Sequence, residues 1–507
     1  MNDDELPKTK TKKYIRVNLS THLGMSPAEV DEGVSKVTTK TKVDWEVIGA
    51  FRFILACYVM FMHIGSNKSW GAFNNLRGWP WHVHVFFTLG GYSMASPMNP
   101  TIQKRFSYFW SRIGSMYPMY AVALTFGLIN LLIVCRPSTF RSDFHWDAQP
   151  NDLFLDDGSP APLFCEGTPA TKTSYWGSLF LTIFTYAFGL AITPFWPMTW
   201  FLGYYLWFSS MYYCCLACFP IMYNYFYDKT RKKKKLLTMW LFGLLAANAV
   251  ICTGAWFIWK DMEGYGHYGE DGKLVAEDEY TDGIAQNVGV LSFYLFGPFW
   301  QIYFVIGMAA AFLYDAYRPA EKHGAYKWGW VADLISLLMI GMSVGLILQG
   351  ERSYEEMPMR PDAANEIMDS ASSNRLWDNI GGRIFAPLTT LWIYALSTGE
   401  GFTAKILRWP FLAQTLAPNS YNCFLFHQMV GQWYYAATRN GTMWNWWRYR
   451  KDFYWFSPAP CPVEWYEYFY IVGLVVAFSR LMDAIEPIVS EVCKYLFEKE
   501  SMLIPSY

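Results

Sequence analysis

The chain has 507 residues, 53% of them hydrophobic and only 16% charged, with a formal net charge of −1. Soluble domains carry about 25% charged residues, so this composition excludes an ordinary soluble fold and points to a polytopic membrane protein. No nucleic-acid partner is expected, and membrane lipids are.

Residues 1–45 are polar, contain no apolar core and read as a cytoplasmic N-terminal segment without a cleavable signal. Apolar runs that approach the ~20 residues needed to cross a bilayer core follow near 47–65, 81–97, 113–135, 198–222, 236–258, 288–313, 329–349, 380–400, 411–435 and 464–482. Aromatic residues gather at candidate span ends, as in Trp79-Pro80-Trp81 and Trp444-Asn445-Trp446-Trp447, where Trp and Tyr favour the membrane–water boundary. The predicted fold is all-α, a transmembrane helix bundle occupying residues 46–482, followed by a short cytoplasmic tail at 483–507.

Segment 176–195 is aromatic, uncharged and closed by Thr193-Pro194. Lys and Arg collect on the cytoplasmic side of membrane proteins. The run from Arg231 to Lys235, the groups Lys104-Arg105-Arg112 and Arg318-Lys322-Lys327, and the pair Lys405-Arg408 share one side only if 176–195 does not cross. That gives about ten spans, both termini cytoplasmic, and an interfacial or re-entrant helix on the outer side. The outer loops fit: residues 259–287 hold eight acidic and two basic residues, and 350–379 hold seven and three. Loop 436–463 is basic and breaks the pattern. Sequons at Asn67 and Asn440 fall in predicted outer loops, as do or nearly do Cys135, Cys165 and Cys461, so a Cys135–Cys165 bridge is allowed there. Cys214, Cys215 and Cys218 sit in an apolar span and read as small hydrophobes.

Arg52 and His63 lie eleven residues apart inside the first span. A helix turns about 100° per residue, so the two side chains share one stripe, within roughly 20° and about 16 Å apart along the axis. Ionisable residues in a membrane helix by default face protein or a water-filled cavity. His427 lies about as far along its own span as His63 does, and His84 opens the second span, so three imidazoles can converge in the outer half. Imidazole suits general-base chemistry near neutral pH. The plain alternative is that intramembrane His residues are hydrogen-bonding struts between helices, and that Arg52 snorkels to the headgroups. A polar stripe also suits a transporter or lipid-handling protein with no covalent chemistry, although no internal repeat of the transporter kind is visible. A metal centre is not expected, because there is no HxxxH or HxxHH cluster.

These motifs resemble acyltransferase family 3. The first span of that family carries Arg or Lys, ten residues, then His, as in Arg52 to His63. Its second span carries Phe-Phe-x-x-Ser-Gly-aromatic, here Phe86-Phe87-Thr88-Leu89-Gly90-Gly91-Tyr92. A basic loop and an Ile-x-Pro-x-Tyr-like turn follow, similar to Arg105, Arg112 and Met116-Tyr117-Pro118-Met119-Tyr120. A later Trp-x-Leu segment is similar to Trp200-Phe201-Leu202-Gly203, and a late Ser-Tyr motif ending in His is similar to Ser420 through His427. The likeness runs over roughly residues 45–482. This chain differs in having Gly49 where the family often has Asp, His84 for the acidic residue before Phe-Phe, Ser111 and Ser115 at basic positions, and Tyr205 where Glu or Asp is usual.

The resemblance implies transfer of an acyl group, acetyl in the first instance, from cytosolic acyl-CoA to a hydroxyl of an extracytoplasmic glycan, lipid or small metabolite. It implies His63 as general base, with Arg52 and His427 beside it. Arg52, Arg105, Arg112 and Lys104 would hold the donor, and His84, Tyr421, Trp200 and Tyr205 the acceptor. Acyl-CoA is the one co-substrate expected.

Overall fold

In the computed structural model of the chain, residues 43–64, 81–96, 106–134, 206–230, 233–259, 297–317, 325–356, 382–438 and 465–501 are described. They are helical throughout, with no strand among them. In chain order the helices are α1 (Trp45–Ile64), α2 (Trp81–Ala95), α3 (Phe106–Val134), α4 (Trp207–Tyr225), α5 (Lys234–Trp259), α6 (Gly297–Tyr317), α7 (Ala325–Glu356), α8 (Ala386–Leu396), α9 (Phe402–Leu407), α10 (Ser420–Thr438) and α11 (Trp465–Ser501).

Each predicted span finds a helix. Among the described residues, four helical segments are long and apolar enough to cross a membrane: Lys234–Ala255, Pro298–Tyr317, Lys327–Gly345 and Trp465–Val492. The exposed apolar side chains of α5 and α7, among them Met239, Phe242, Val250, Leu334 and Leu337, form the kind of surface that marks a membrane protein rather than a soluble one. Segment 176–195, the sequons, Cys135, Cys165, Cys461 and the N-terminal segment up to residue 42 lie outside the described residues.

Two boundaries differ from the apolar pattern. The run 411–435 does not begin as an α-helix: Phe411–Leu416 is π-helical and Ala417–Asn419 is a 3-10 turn, with α10 starting only at Ser420. Pro410 and Pro418 bracket this stretch, and each removes a backbone donor. The last helix does not stop near 482 but continues through Pro487 to Ser501.

The core is aromatic. Phe87 stacks on Trp300 with ring centroids 4.8 Å apart, and Trp207 and Phe208 close over the same pair at 5.6 and 4.6 Å. α2 and α6 approach backbone to backbone. A Cβ added at Gly91 would run into the Phe304 carbonyl, and one at Gly307 into the Thr88 carbonyl. Small residues permit such approach where no water drives helices together.

The start of α1 is pinned. The Asp44 carboxylate accepts from Val47 N at 3.0 Å, an N-cap, and pairs with Arg408 just after α9. Asp44 N donates to Ser397 O at the end of α8 at 2.9 Å. The second turn of α1, which carries Arg52, is therefore fixed in height against α8, α9 and the irregular 411–419 stretch.

Candidate active site

Arg52 is the centre of the site. Its Nε donates to Ser420 Oγ at the first residue of α10, 2.9 Å away. Beneath that bond Gly49 packs against Ala417, where an added Cβ would sit 3.7 Å from the Ala417 methyl. The Arg52 side chain keeps accessible surface while Ser420 anchors its Nε. Tyr212 of α4 lies within electrostatic reach of both Arg52 and Arg112 of α3. Arg112 donates from Nη2 to the Tyr108 hydroxyl at 2.8 Å and lies over the Tyr108 ring at 4.9 Å. Two guanidinium groups from two helices thus act electrostatically on one phenol.

His427 lies seven residues beyond Ser420, about −20° round α10, so it shares the stripe that meets Arg52. It is fully buried. Its Nδ1 is 2.6 Å from the carbonyl of Phe424. A carbonyl only accepts, so Nδ1 carries the proton and Nε2 holds the basic lone pair. Counted from the Arg52–Ser420 bond, position 63 lies ~16 Å along α1 and His427 ~10 Å along α10, about one turn lower. α1 runs through position 63; the His63 side chain lies outside what is described. Between Arg52 and position 63 the stripe holds Ala56 and Val59, and between Ser420 and His427 it holds Phe424. These are 0%, 6% and 9% exposed. Beyond Arg52 and Ser420 both stripes are therefore apolar and packed.

The remaining expected residues fall elsewhere. Tyr421 donates to Met116 O at 3.1 Å and ties α10 to α3 at the Ser420 end, far along the axis from position 63. His84 is buried with Nε2 2.9 Å from Thr389 Oγ1. That hydroxyl also lies within hydrogen-bonding distance of the backbone carbonyls of Phe385 and Ala386. The His84 ring faces Tyr303 at 5.4 Å. Lys104, Arg105, Trp200 and Tyr205 lie outside the described residues.

Several polar residues here escaped the sequence reading. His82 is buried with its ring 4.8 Å from Tyr58, so it, and not His84, is the α2 imidazole that faces α1. Arg383, 3% exposed, lies over the Trp300 ring at 4.2 Å, and its carbonyl accepts from Asn248 Nδ2 at 3.0 Å. The Asn248 amide oxygen in turn accepts from Tyr303. Arg383 follows an acidic loop and reads in sequence as an ordinary span-flanking cation. Only the fold brings it inside.

The arrangement is one cation in the first turns of α1, a second on α3, and an imidazole with a basic nitrogen two turns up α10 from Ser420. The family model described as an acyltransferase domain, acyltransferase 3, matches residues 46–450, which spans Arg52, position 63, Arg112, Ser420 and His427. No curated protein and no solved structure matches the chain. On the extent of that family match, the chain belongs to the acyltransferase 3 family.

Proposed function

We propose that the chain is a multi-pass membrane acyltransferase that moves an acyl group, acetyl first, from cytosolic acyl-CoA to a hydroxyl acceptor on the other side. The observation that carries this reading is Arg52, accessible on α1 and bonded across the bundle to Ser420 of α10. Guanidinium groups recognise phosphates through paired donors, so Arg52 and Arg112 would hold the donor's phosphates, with Lys104 and Arg105 at the cytoplasmic mouth. The ~16 Å from Arg52 to position 63 is comparable to an extended pantetheine arm. To thread it, the Val59 and Phe424 side chains would have to turn aside.

At the far end His63 would take the acceptor's proton as the hydroxyl oxygen attacks the thioester carbonyl. The new C–O bond forms, the C–S bond breaks, and the proton passes from His63 to the departing thiolate. His427, presenting Nε2 one turn lower, would hydrogen-bond His63 and keep it oriented. Tyr421 is assigned to holding α10 on α3. His84, Trp200 and Tyr205 remain candidates for acceptor contacts. The spans number about ten, with Arg52 towards the cytosol.

The test is acetyl transfer by purified protein in phosphatidylcholine nanodiscs, with acetyl-CoA and an extract of surface glycans and lipids as acceptors. Thiol release that needs the extract, with label found in an ester product, supports the reading. Binding of acetyl-CoA with neither thiol nor product formed removes it in favour of a non-covalent role.

A further inference from the structure

We infer that Tyr212 is an uncharged ligand of the donor's diphosphate, acting together with Arg52 and Arg112, and that Gly90 is the vacancy in α2 that admits it. The inference rests on the acyl-CoA reading above and deepens it.

Three observations converge. First, the Tyr212 ring occupies the space over Gly90: an added Cβ there would stand 2.6 Å from its Cε2 and 3.0 Å from its hydroxyl oxygen. The ring is further held by stacking on Phe208 at 6.1 Å and by the edge of Phe304 at 5.9 Å. Its position is thus fixed by α2, α4 and α6 together. Second, the hydroxyl lies within electrostatic reach of Arg52 and Arg112, which come from two other helices. Two like charges about one phenol repel each other unless an anion joins them. Third, Arg112 Nε is buried and makes no hydrogen bond among the described residues. A buried donor without an acceptor is costly, and an anion's oxygen would satisfy it. Arg52 has one donor committed to Ser420, which fixes the guanidinium and leaves its remaining N–H groups for a ligand.

A diphosphate suits this set. It spreads negative charge over two linked groups, so each arginine can take one while the phenol donates to an oxygen between them. The family likeness places Ser where this chain has Gly90. A serine Cβ cannot coexist with the Tyr212 ring in its present place, so the hydroxyl at this level comes from α4 instead of α2. Gly90 and Tyr212 form a matched pair.

The same anion chemistry is offered by a phospholipid headgroup, and the experiment separates the two. CoA binding and acetyl-transfer kinetics would be measured for the wild type, Tyr212→Phe and Gly90→Ser in phosphatidylcholine nanodiscs. Acetyl-CoA would be compared with acetyl-pantetheine, which lacks the diphosphate. Tyr212→Phe keeps the ring and its packing, so CoA affinity is expected to fall about tenfold, with KM for acetyl-CoA rising alike. Its kcat, and its KM for acetyl-pantetheine, should stay at wild-type values. Gly90→Ser should show the same donor-selective loss, and the double variant no further loss than either single one.

Wild-type CoA affinity in Tyr212→Phe overturns the inference, as does an equal penalty on acetyl-pantetheine. It is also overturned if phosphatidylglycerol stabilises the wild type but not Tyr212→Phe while CoA binding is unchanged, because the hydroxyl then serves a headgroup. A wild type that binds CoA through Tyr212 yet transfers no acetyl supports the inference and removes only the transfer reading. A wild type that binds no CoA overturns both.

Discussion

Arg52 and Ser420 stand 368 residues apart in the chain and are joined by a 2.9 Å hydrogen bond from Nε to Oγ. The bond sets α1 and α10 in register, so that the Arg52 stripe and the His427 stripe face each other. It also orients the Arg52 guanidinium. Asp44, eight residues and just over two turns earlier, is engaged with Arg408.

Arg52→Ala is expected to lower kcat/KM for acetyl-CoA about 10–100-fold, the range of one or two charge-assisted hydrogen bonds to phosphate. Arg52→Lys keeps the charge and loses the fork, so it should fall between. Ser420→Ala should raise KM about tenfold, because the guanidinium loses its anchor. Steady-state thiol release from monodisperse protein measures all three. An Arg52→Ala protein that matches the wild type in KM would leave Arg52 a snorkelling residue.

His63→Ala should reduce transfer by about 10²–10⁴-fold, the usual contribution of a general base, while the protein still inserts and elutes as the wild type. If His427 works by holding His63, the two changes share one effect. The double variant His63→Ala/His427→Ala should then fall no further than His63→Ala alone, an interaction energy that a double-mutant cycle reads directly. Independent, multiplicative losses would show that His427 serves something other than His63.

Val59 stands on the stripe between Arg52 and position 63 and is 6% exposed. Val59→Ala removes two methyl groups from a packed site and should cost about 2 kcal/mol of stability. It should also widen the route. The ratio of hexanoyl to acetyl transfer is expected to rise several-fold. An unchanged ratio in a folded variant would place the acyl chain on another path.

The helical register of each candidate stripe could be read from sequence because a helix has one period. Eleven residues from Arg52 to His63 and seven from Ser420 to His427 each close to within about 20°, and apolar runs locate the helices that carry them. The pairing of the two stripes could not be read in this way, since nothing local links Arg52 to Ser420. Tyr212 was equally hidden, one tyrosine in an aromatic stretch whose neighbours exist only in three dimensions. His82 and His84 were visible as a pair two residues apart. That spacing turns them about 200° from each other on a helix, so they face Tyr58 and Thr389 respectively, and sequence alone does not say which faces α1. The irregular start of α10 was signalled by Pro410 and Pro418, but the apolar run concealed it.

The two glycines of the Phe86–Tyr92 motif have separable roles, and stability measurements can tell them apart. Gly91 meets the Phe304 backbone and Gly307 the Thr88 backbone, where nothing can swing aside. Alanine at either position forces α2 and α6 apart across their whole shared face, so Gly91→Ala and Gly307→Ala should each destabilise by about 3 kcal/mol or more. Gly341 on α7 has nothing within 4 Å of an added Cβ. Alanine there should be neutral or stabilise by up to about 1 kcal/mol through helix propensity. Thermal unfolding in detergent, followed by the monodisperse fraction remaining, gives the ranking. If Gly91→Ala unfolds no earlier than Gly341→Ala, then α2 and α6 do not cross backbone to backbone, and the frame that holds Gly90 under Tyr212 is wrong.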